Sequence, residues 1–313
     1  MTQAWRWVAT NFGGPEVLEA IEVDLRDPAP GHVTIEVRAA GMNPADYKHF
    51  ASGQDPNLLP LTVGYEVAGV IAGVSADAEI ASGGGAVGDE VLAFPVSDGY
   101  SSALNAPAKD VFAKPETLTF PQAANLLLVG ATAADTLDVV GVSRGETVLV
   151  HGAAGGVGTS VVQQAALLGA TVIGTASERD FEAVLGFGGT PVAYGPGLEK
   201  RVLQAAPDGI DAAIDTLGAD EAIDVSLALV SDRERIVSTA AFERVKQEGF
   251  QVVGGSVQRS GPFRAAVRRS LLDLAAAGKL TVPIGQTFPF GDARRAVEAL
   301  RGKHPYGKLA LVI

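Results

Sequence analysis

The chain has 313 residues, 47% of them hydrophobic, with a formal net charge of −12, 38 glycines, 17 prolines and no cysteine. Such a chain buries a substantial core, so disorder is excluded, and the lack of cysteine excludes disulfides and thiolate metal ligands. The acidic balance argues against nucleic acid as a partner, Met1 to Thr10 is not a signal segment, and no stretch matches the roughly 18 apolar residues of a membrane span, so a cytoplasmic protein with no membrane partner is expected.

To about residue 120 the chain consists of short apolar runs divided by Gly, Pro, Asn and Asp. Runs at 33–37, 67–71 and 90–94 have strand length and turn residues at their ends, which predicts a β-rich domain. Ser82-Gly83-Gly84-Gly85-Ala86 predicts a surface loop, because three adjacent glycines lose too much entropy in a regular element. Beyond residue 120 strand and helix patterns alternate. Strands are expected over 147–151, 171–175, 191–194, 212–215, 235–238 and 251–254, and helices over 157–168, 179–185, 198–205, 220–229 and 262–277. This alternation predicts an α/β fold with a doubly wound parallel sheet covered on both faces. In the first of these helices Val157, Val161, Ala165 and Leu168 mark the expected buried face, and Arg268-Arg269 in the last reads as a solvated face. The tail, 288–313, holds a helix over 292–301 and a strand over 309–313 that are expected to return to the N-terminal domain. The expected division is 1–122, completed by 287–313, and 123–286.

The strongest local signal is the turn His151-Gly152-Ala153-Ala154-Gly155-Gly156-Val157-Gly158, between an apolar strand and an amphipathic helix. Glycines at 152, 155 and 158 allow a tight turn, close backbone approach to a pyrophosphate and close helix–strand packing, while the helix N–H groups face the ligand's charge. A nicotinamide dinucleotide is the expected ligand. Its type is read at the end of the second strand, where Ser177 and Arg179 suit the 2′-phosphate of NADP(H), and Glu178 competes as a ligand for the ribose 2′-hydroxyl of NAD. The alternative is that Ser177 caps the next helix and Arg179 is solvated. His151 reads as structural, and the edge strand 251–254 is expected to pair with its twin in a homodimer.

The segments Ala39 to Lys48, Gly64-Tyr65-Glu66-Val67-Ala68-Gly69-Val70, Gly88-Asp89-Glu90-Val91, Gly152 to Gly158, Gly174-Thr175-Ala176-Ser177 and Gly307-Lys308-Leu309 together resemble the zinc-independent quinone oxidoreductase (zeta-crystallin-like) branch of the medium-chain dehydrogenase/reductase family. The resemblance implies a GroES-like β-barrel catalytic domain, a Rossmann domain, NADPH as hydride donor and a quinone or other α,β-unsaturated carbonyl as acceptor. It implies an active site in the cleft between the domains, with Asn43, Asp46 and Tyr47 near nicotinamide and substrate. Thr132 would lie near the nicotinamide ribose, Ser177 and Tyr194 near the adenosine phosphate, and Lys308 beside the cofactor. Two segments depart from the family pattern: Asp98 to Leu104, and the long glycine-rich stretch from Val74 to Ala86.

The four histidines do not replace the missing thiolates of a zinc alcohol dehydrogenase, and Tyr65 stands where such an enzyme has a ligand histidine. Hydride transfer without a metal favours an acceptor that is already electrophilic, with the protein stabilising the oxyanion that develops. Asn43 and Tyr47 carry suitable donors, Tyr47 also a proton, and Lys48 a charge. The plainer readings are Asn43 as turn former, Asp46 and Thr132 as helix caps, and Tyr47 as packed core. The alternative functions are an enoyl or alcohol/aldehyde reductase, or a non-catalytic NADPH-binding protein.

Overall fold

A computed structural model describes residues 2–302 and 304–313. The chain divides into two compact units, one running to Leu128 and resuming at Thr281, the other from Val129 to Leu280. These borders fall a few residues from the expected ones. The cause is local: the Leu128 N–H donates to the buried Glu66 carboxylate at 3.0 Å, and the Asn125 amide bridges Met42 N and Leu309 O, holding the chain in the first unit that far.

The first unit opens with the antiparallel pair β1 (Thr2–Ala9) and β2 (Leu18–Leu25), followed by β3 (His32–Gly41), α1 (Pro44–Ser52), β4 (Leu61–Thr62) and β5 (Val67–Val74). β6 (Glu90–Ala93), β7 (Ala103–Pro107), β8 (Val111–Ala113) and the short α2 (Phe120–Ala123) complete this part. The glycine run at 83–85 lies outside regular structure with all three φ values positive. Inward residues such as Val33, Ile35 and Val37 on β3 alternate toward a core with Ile71, Val91 and Leu104. Full burial of each such side chain stabilises the fold by roughly 1.5–3 kcal/mol.

The second unit begins in α3 (Leu127–Val139), then alternates β9 (Thr147–His151), α4 (Gly156–Leu168), β10 (Thr171–Ala176), α5 (Phe181–Gly186), β11 (Gly189–Ala193), α6 (Leu198–Ala205), β12 (Ala212–Asp215), α7 (Asp220–Leu229), β13 (Ile236–Ser238), α8 (Phe242–Glu248), β14 (Gln251–Val252) and α9 (Ser260–Ala276). The six strands run parallel in the order β11-β10-β9-β12-β13-β14, the doubly wound Rossmann order. Alternate residues separate the faces: Val148, Val150, Val172 and Ile214 pack with α3 and α4, Leu149, Ile173, Ala213 and Ile236 with α6 and α7. On α4 the buried stripe is Val161, Val162 and Ala165, whereas Leu168, expected inside, is 44% exposed at the helix end. Arg268 corrects the expectation of a solvated pair, being buried with its Nε donating to Ala265 O, while Arg269 is exposed.

The chain then returns to the first unit with β15 (Ile284–Pro289), α10 (Ala293–Arg301) and β16 (Lys308–Val312). β16 pairs antiparallel with β3, Ala310 opposite Gly41, in a seven-stranded sheet. Among the described residues no helix is long and apolar enough to cross a membrane.

Candidate active site

In the second unit, β9 ends at His151 and the chain turns at Gly152, whose φ is +77°. A Cβ at Gly158 would lie 2.0 Å from the Gly152 carbonyl oxygen, so helix and turn meet backbone to backbone. Gly155, the N-cap of α4, is different: it is exposed, and a Cβ there would meet only the Gly152 oxygen at 3.2 Å. Gly152 N donates to Thr175 Oγ1 at 3.3 Å and Ala153 N to Thr175 O at 3.0 Å, tying the turn to β10. Gly152, Ala153 and Gly158 are therefore buried and shape the turn, while Ala154, Gly155, Gly156 and Val157 form its accessible lip. No side chain caps α4, which leaves its first N–H groups for an anion.

The strand ends beside this turn carry the remaining predicted cofactor residues. Ser177 is half-buried at the start of a 3-10 turn and does not cap it. Arg179 has 61% of its side chain exposed and pairs with Asp180 at 3.3 Å, and Glu178 is exposed beside it. Tyr194, just past β11, is 37% exposed, and partial burial raises the pKa of its phenol. His151 is fully buried; its Nδ1 lies 3.3 Å from Thr175 Oγ1, its Nε2 has no partner, and burial lowers its pKa to about 4. Asp215, at the end of β12, accepts from Ser238 Oγ at 2.6 Å and from Leu217 N and Gly218 N, and holds the 46% exposed Leu217 beside Gly152. Thr132 does not cap a helix, because it is buried inside α3.

In the first unit the start of α1 is built from buried charge. Asn43 is the N-cap and Pro44 follows it; Asn43 N donates to Asp46 Oδ2 at 2.8 Å, which closes the first turn. The Asn43 amide is engaged at both ends, Nδ2 donating to Glu66 Oε1 at 2.8 Å and Oδ1 accepting from Lys308 Nζ at 2.5 Å. Lys308 also donates to Met42 O at 2.6 Å, so two of its three ammonium donors are engaged inside this unit. Tyr100, from the segment that departs from the family pattern, is wholly buried and donates to Asp46 Oδ2 at 3.0 Å. Burial pushes the Glu66 and Asp46 carboxyls up and Lys308 down, and their opposite charges resist both movements. Asn43 and Asp46, expected beside substrate, are 1% and 3% exposed and turned inward. Tyr47 is half-buried under the Arg301 guanidinium, 5.7 Å from the ring centroid, and Lys48 is exposed.

Residues 29–116 match the signature of an alcohol dehydrogenase GroES-like domain, and residues 190–311 that of a zinc-binding dehydrogenase. The quinone oxidoreductase of Homo sapiens is 33% identical over 97% of this chain and 96% of its own length. The chain belongs to the medium-chain dehydrogenase/reductase family, in its quinone oxidoreductase (zeta-crystallin-like) branch. Among solved structures it is similar to a mycobacterial protein complexed with NADPH, with a TM-score of 0.83 and 29% identity over 99% of this chain and all of that one. It is also similar to an NAD-dependent alcohol dehydrogenase, with a TM-score of 0.86 and 26% identity over 99% of both. As an oxidoreductase of this family, the chain combines a GroES-like unit and a Rossmann unit.

The donor set of this family member does not fit the zinc that some family names imply. The chain has no cysteine, and among the described residues no group of three or more His, Asp or Glu is placed to hold a metal ion. The Tyr65 hydroxyl instead meets the His49 ring at 2.9 Å from Nδ1, and burial pushes its pKa up to about 12. The glycine turn does fit a dinucleotide, because Gly155 and Gly156 in its accessible lip lack Cβ atoms where a pyrophosphate would approach. Sequence reasoning missed Glu66 and Tyr100 as partners of the α1 start, and Thr175 and Leu217 beside the turn. Glu66 and Thr175 lay within quoted motifs, so a signal existed; Tyr100 and Leu217 carry none, because only folding brings them there.

Proposed function

We propose that this chain is an NADPH-dependent reductase that transfers hydride to quinones or other conjugated carbonyls without a metal. The observation that carries the reading is the glycine turn, whose buried glycines hold it tight while Gly155 and the uncapped N-terminus of α4 stay open to a pyrophosphate. The nicotinamide supplies the hydride. Ser177 and Tyr194 would receive the adenosine phosphate, with Arg179 leaving Asp180 to join them. The α1 network fixes the backbone at Asn43 and Tyr47, and Tyr47 is the substrate-side group with a proton to give. Replacing Tyr47 with Phe is expected to slow turnover much more than it weakens NADPH binding, which steady-state rates and a binding titration compare directly.

The test of the whole reading is NADPH oxidation with a panel of quinones and enones, in the presence and absence of a chelator. Acceptor-dependent oxidation insensitive to chelation is expected; cofactor binding with no turnover would instead support a non-catalytic binding protein. A second reading of the cofactor, NAD(H) in place of NADP(H), is favoured by the placement of Arg179 between the acidic Glu178 and Asp180. Tighter binding of NADH than of NADPH would select it. A homodimer through β14 also belongs to this proposal, although that edge offers only two strand residues, and a monomeric mass in solution would remove it.

A further inference from the structure

The segment after β11 is held by one side chain. Arg201, on α6, donates from Nε and Nη2 to Ala193 O at 3.1 and 2.8 Å, from Nη2 to Tyr194 O at 3.0 Å and Gly195 O at 2.7 Å, and from Nη1 to Pro196 O at 2.8 Å. Four successive carbonyls are gathered on one guanidinium, and the Gly195 N–H is fixed from the other side by Glu221 Oε2 at 3.0 Å. A planar cation with five donors performs this task; the ammonium of a lysine, a compact point charge with three, does not. The residue at the centre of the clamped segment is Tyr194. Tyr194 follows directly on β11, whose last residue Ala193 pairs with Ala176 of β10, so it stands at the same sheet end as Ser177, and Thr175 on that strand accepts the Gly152 N–H at the head of the glycine turn.

We propose that Arg201 is a positioning residue for the adenosine-phosphate end of the cofactor, acting by holding Tyr194 where its hydroxyl reaches the 2′-phosphate, and so contributing to discrimination between NADPH and NADH. The inference rests on the reading of the turn as a dinucleotide site. Its chemistry is indirect: the Arg201 charge is committed to carbonyls, and what it supplies to the ligand is the fixed place of a neutral donor. Without the clamp, Tyr194 would lose backbone order, and its hydrogen bond to a phosphate would carry an ordering cost at binding.

The full chain is titrated with NADPH and separately with NADH, for the native protein, Arg201→Gln, Tyr194→Phe and the double variant. Arg201→Gln is expected to weaken NADPH binding by about tenfold, the scale of one lost hydrogen bond to a charged group, and NADH binding far less. In the Tyr194→Phe background the same change is expected to cost little, because the group that Arg201 positions is already gone. Equal losses for both cofactors, or an undiminished loss in the Tyr194→Phe background, would reduce Arg201 to a structural residue and overturn the proposal. An Arg201→Gln protein that folds and binds NADPH as tightly as the native one would also overturn it, with the cofactor reading intact; failure of the native chain to bind either cofactor would overturn both. If Arg201→Gln does not fold, Glu221→Gln releases the Gly195 side of the clamp, and its NADPH-to-NADH affinity ratio must fall for the proposal to stand.

Discussion

The start of α1 and the start of α4 are both helix N-termini, and they are built in opposite ways. At α1 the first turn is held from within: Asp46 takes the Asn43 N–H, Glu66 and Lys308 hold the Asn43 amide, and Tyr100 covers Asp46. At α4 the N-cap is a glycine, Gly155 and Gly156 have no Cβ, and no side chain caps the helix. The first is a closed device made of side chains, which fixes a piece of backbone. The second is an open device made of backbone, which waits for a ligand to supply the charge.

Breaking the closed device should have the largest effect. Lys308→Met leaves the buried Glu66 and Asp46 carboxyls without the cation beside them, and is expected to cost about 3–5 kcal/mol in denaturant unfolding; Glu66→Gln removes one of the two carboxyls near the ammonium and should cost less. The double variant should recover part of that loss. If the single losses simply add, the two groups do not act as a pair.

The acid limb of stability probes the region between the turn and β10. The folded-state pKa of His151, about 4, lies below its unfolded value of 6.5, so below pH 6.5 the unfolded chain binds a proton that the folded chain refuses. Its contribution is intact above pH 6.5, declines toward pH 4 and then levels off, a loss of about 3 kcal/mol in all. His151→Gln should flatten that part of the profile; an unchanged slope would show that the imidazole ionises without cost.

The smallest pair of changes distinguishes the two duties within the open device. Gly158→Ala drives a Cβ to 2.0 Å from a carbonyl oxygen, and is expected to lower stability by about 1–3 kcal/mol and to abolish NADPH binding. Gly155→Ala meets its neighbour at 3.2 Å and should change stability by about 0.5 kcal/mol or less, yet weaken NADPH several-fold. Thermal melts beside cofactor titrations check both, and equal stability losses at the two positions would erase the distinction.

Legibility followed the range of the interactions. α6 and α7 lie where their patterns put them, because each has one apolar face and clear ends. α3 escaped detection because Leu127 to Val139 is apolar nearly all round, with no stripe to read, and α8 because it is short and polar. The candidate residues divide similarly. The glycine positions were readable from local spacing, whereas the inward turn of Asn43, Asp46 and Lys308 depends on Glu66 and Tyr100, far away in sequence.

The sequence alone determined the alternation that becomes a parallel sheet, the glycine spacing of the turn after β9, and the lack of thiolate ligands. These are properties of backbone conformation and composition, which neighbouring residues and simple counts decide. Tertiary structure decided which polar groups are free to act. It ties Lys308 to Asn43, places Tyr100 against Asp46 and gathers four carbonyls on Arg201. A buried charge or donor takes the partner that folding brings within about 3 Å, and its neighbours in the chain do not choose that partner.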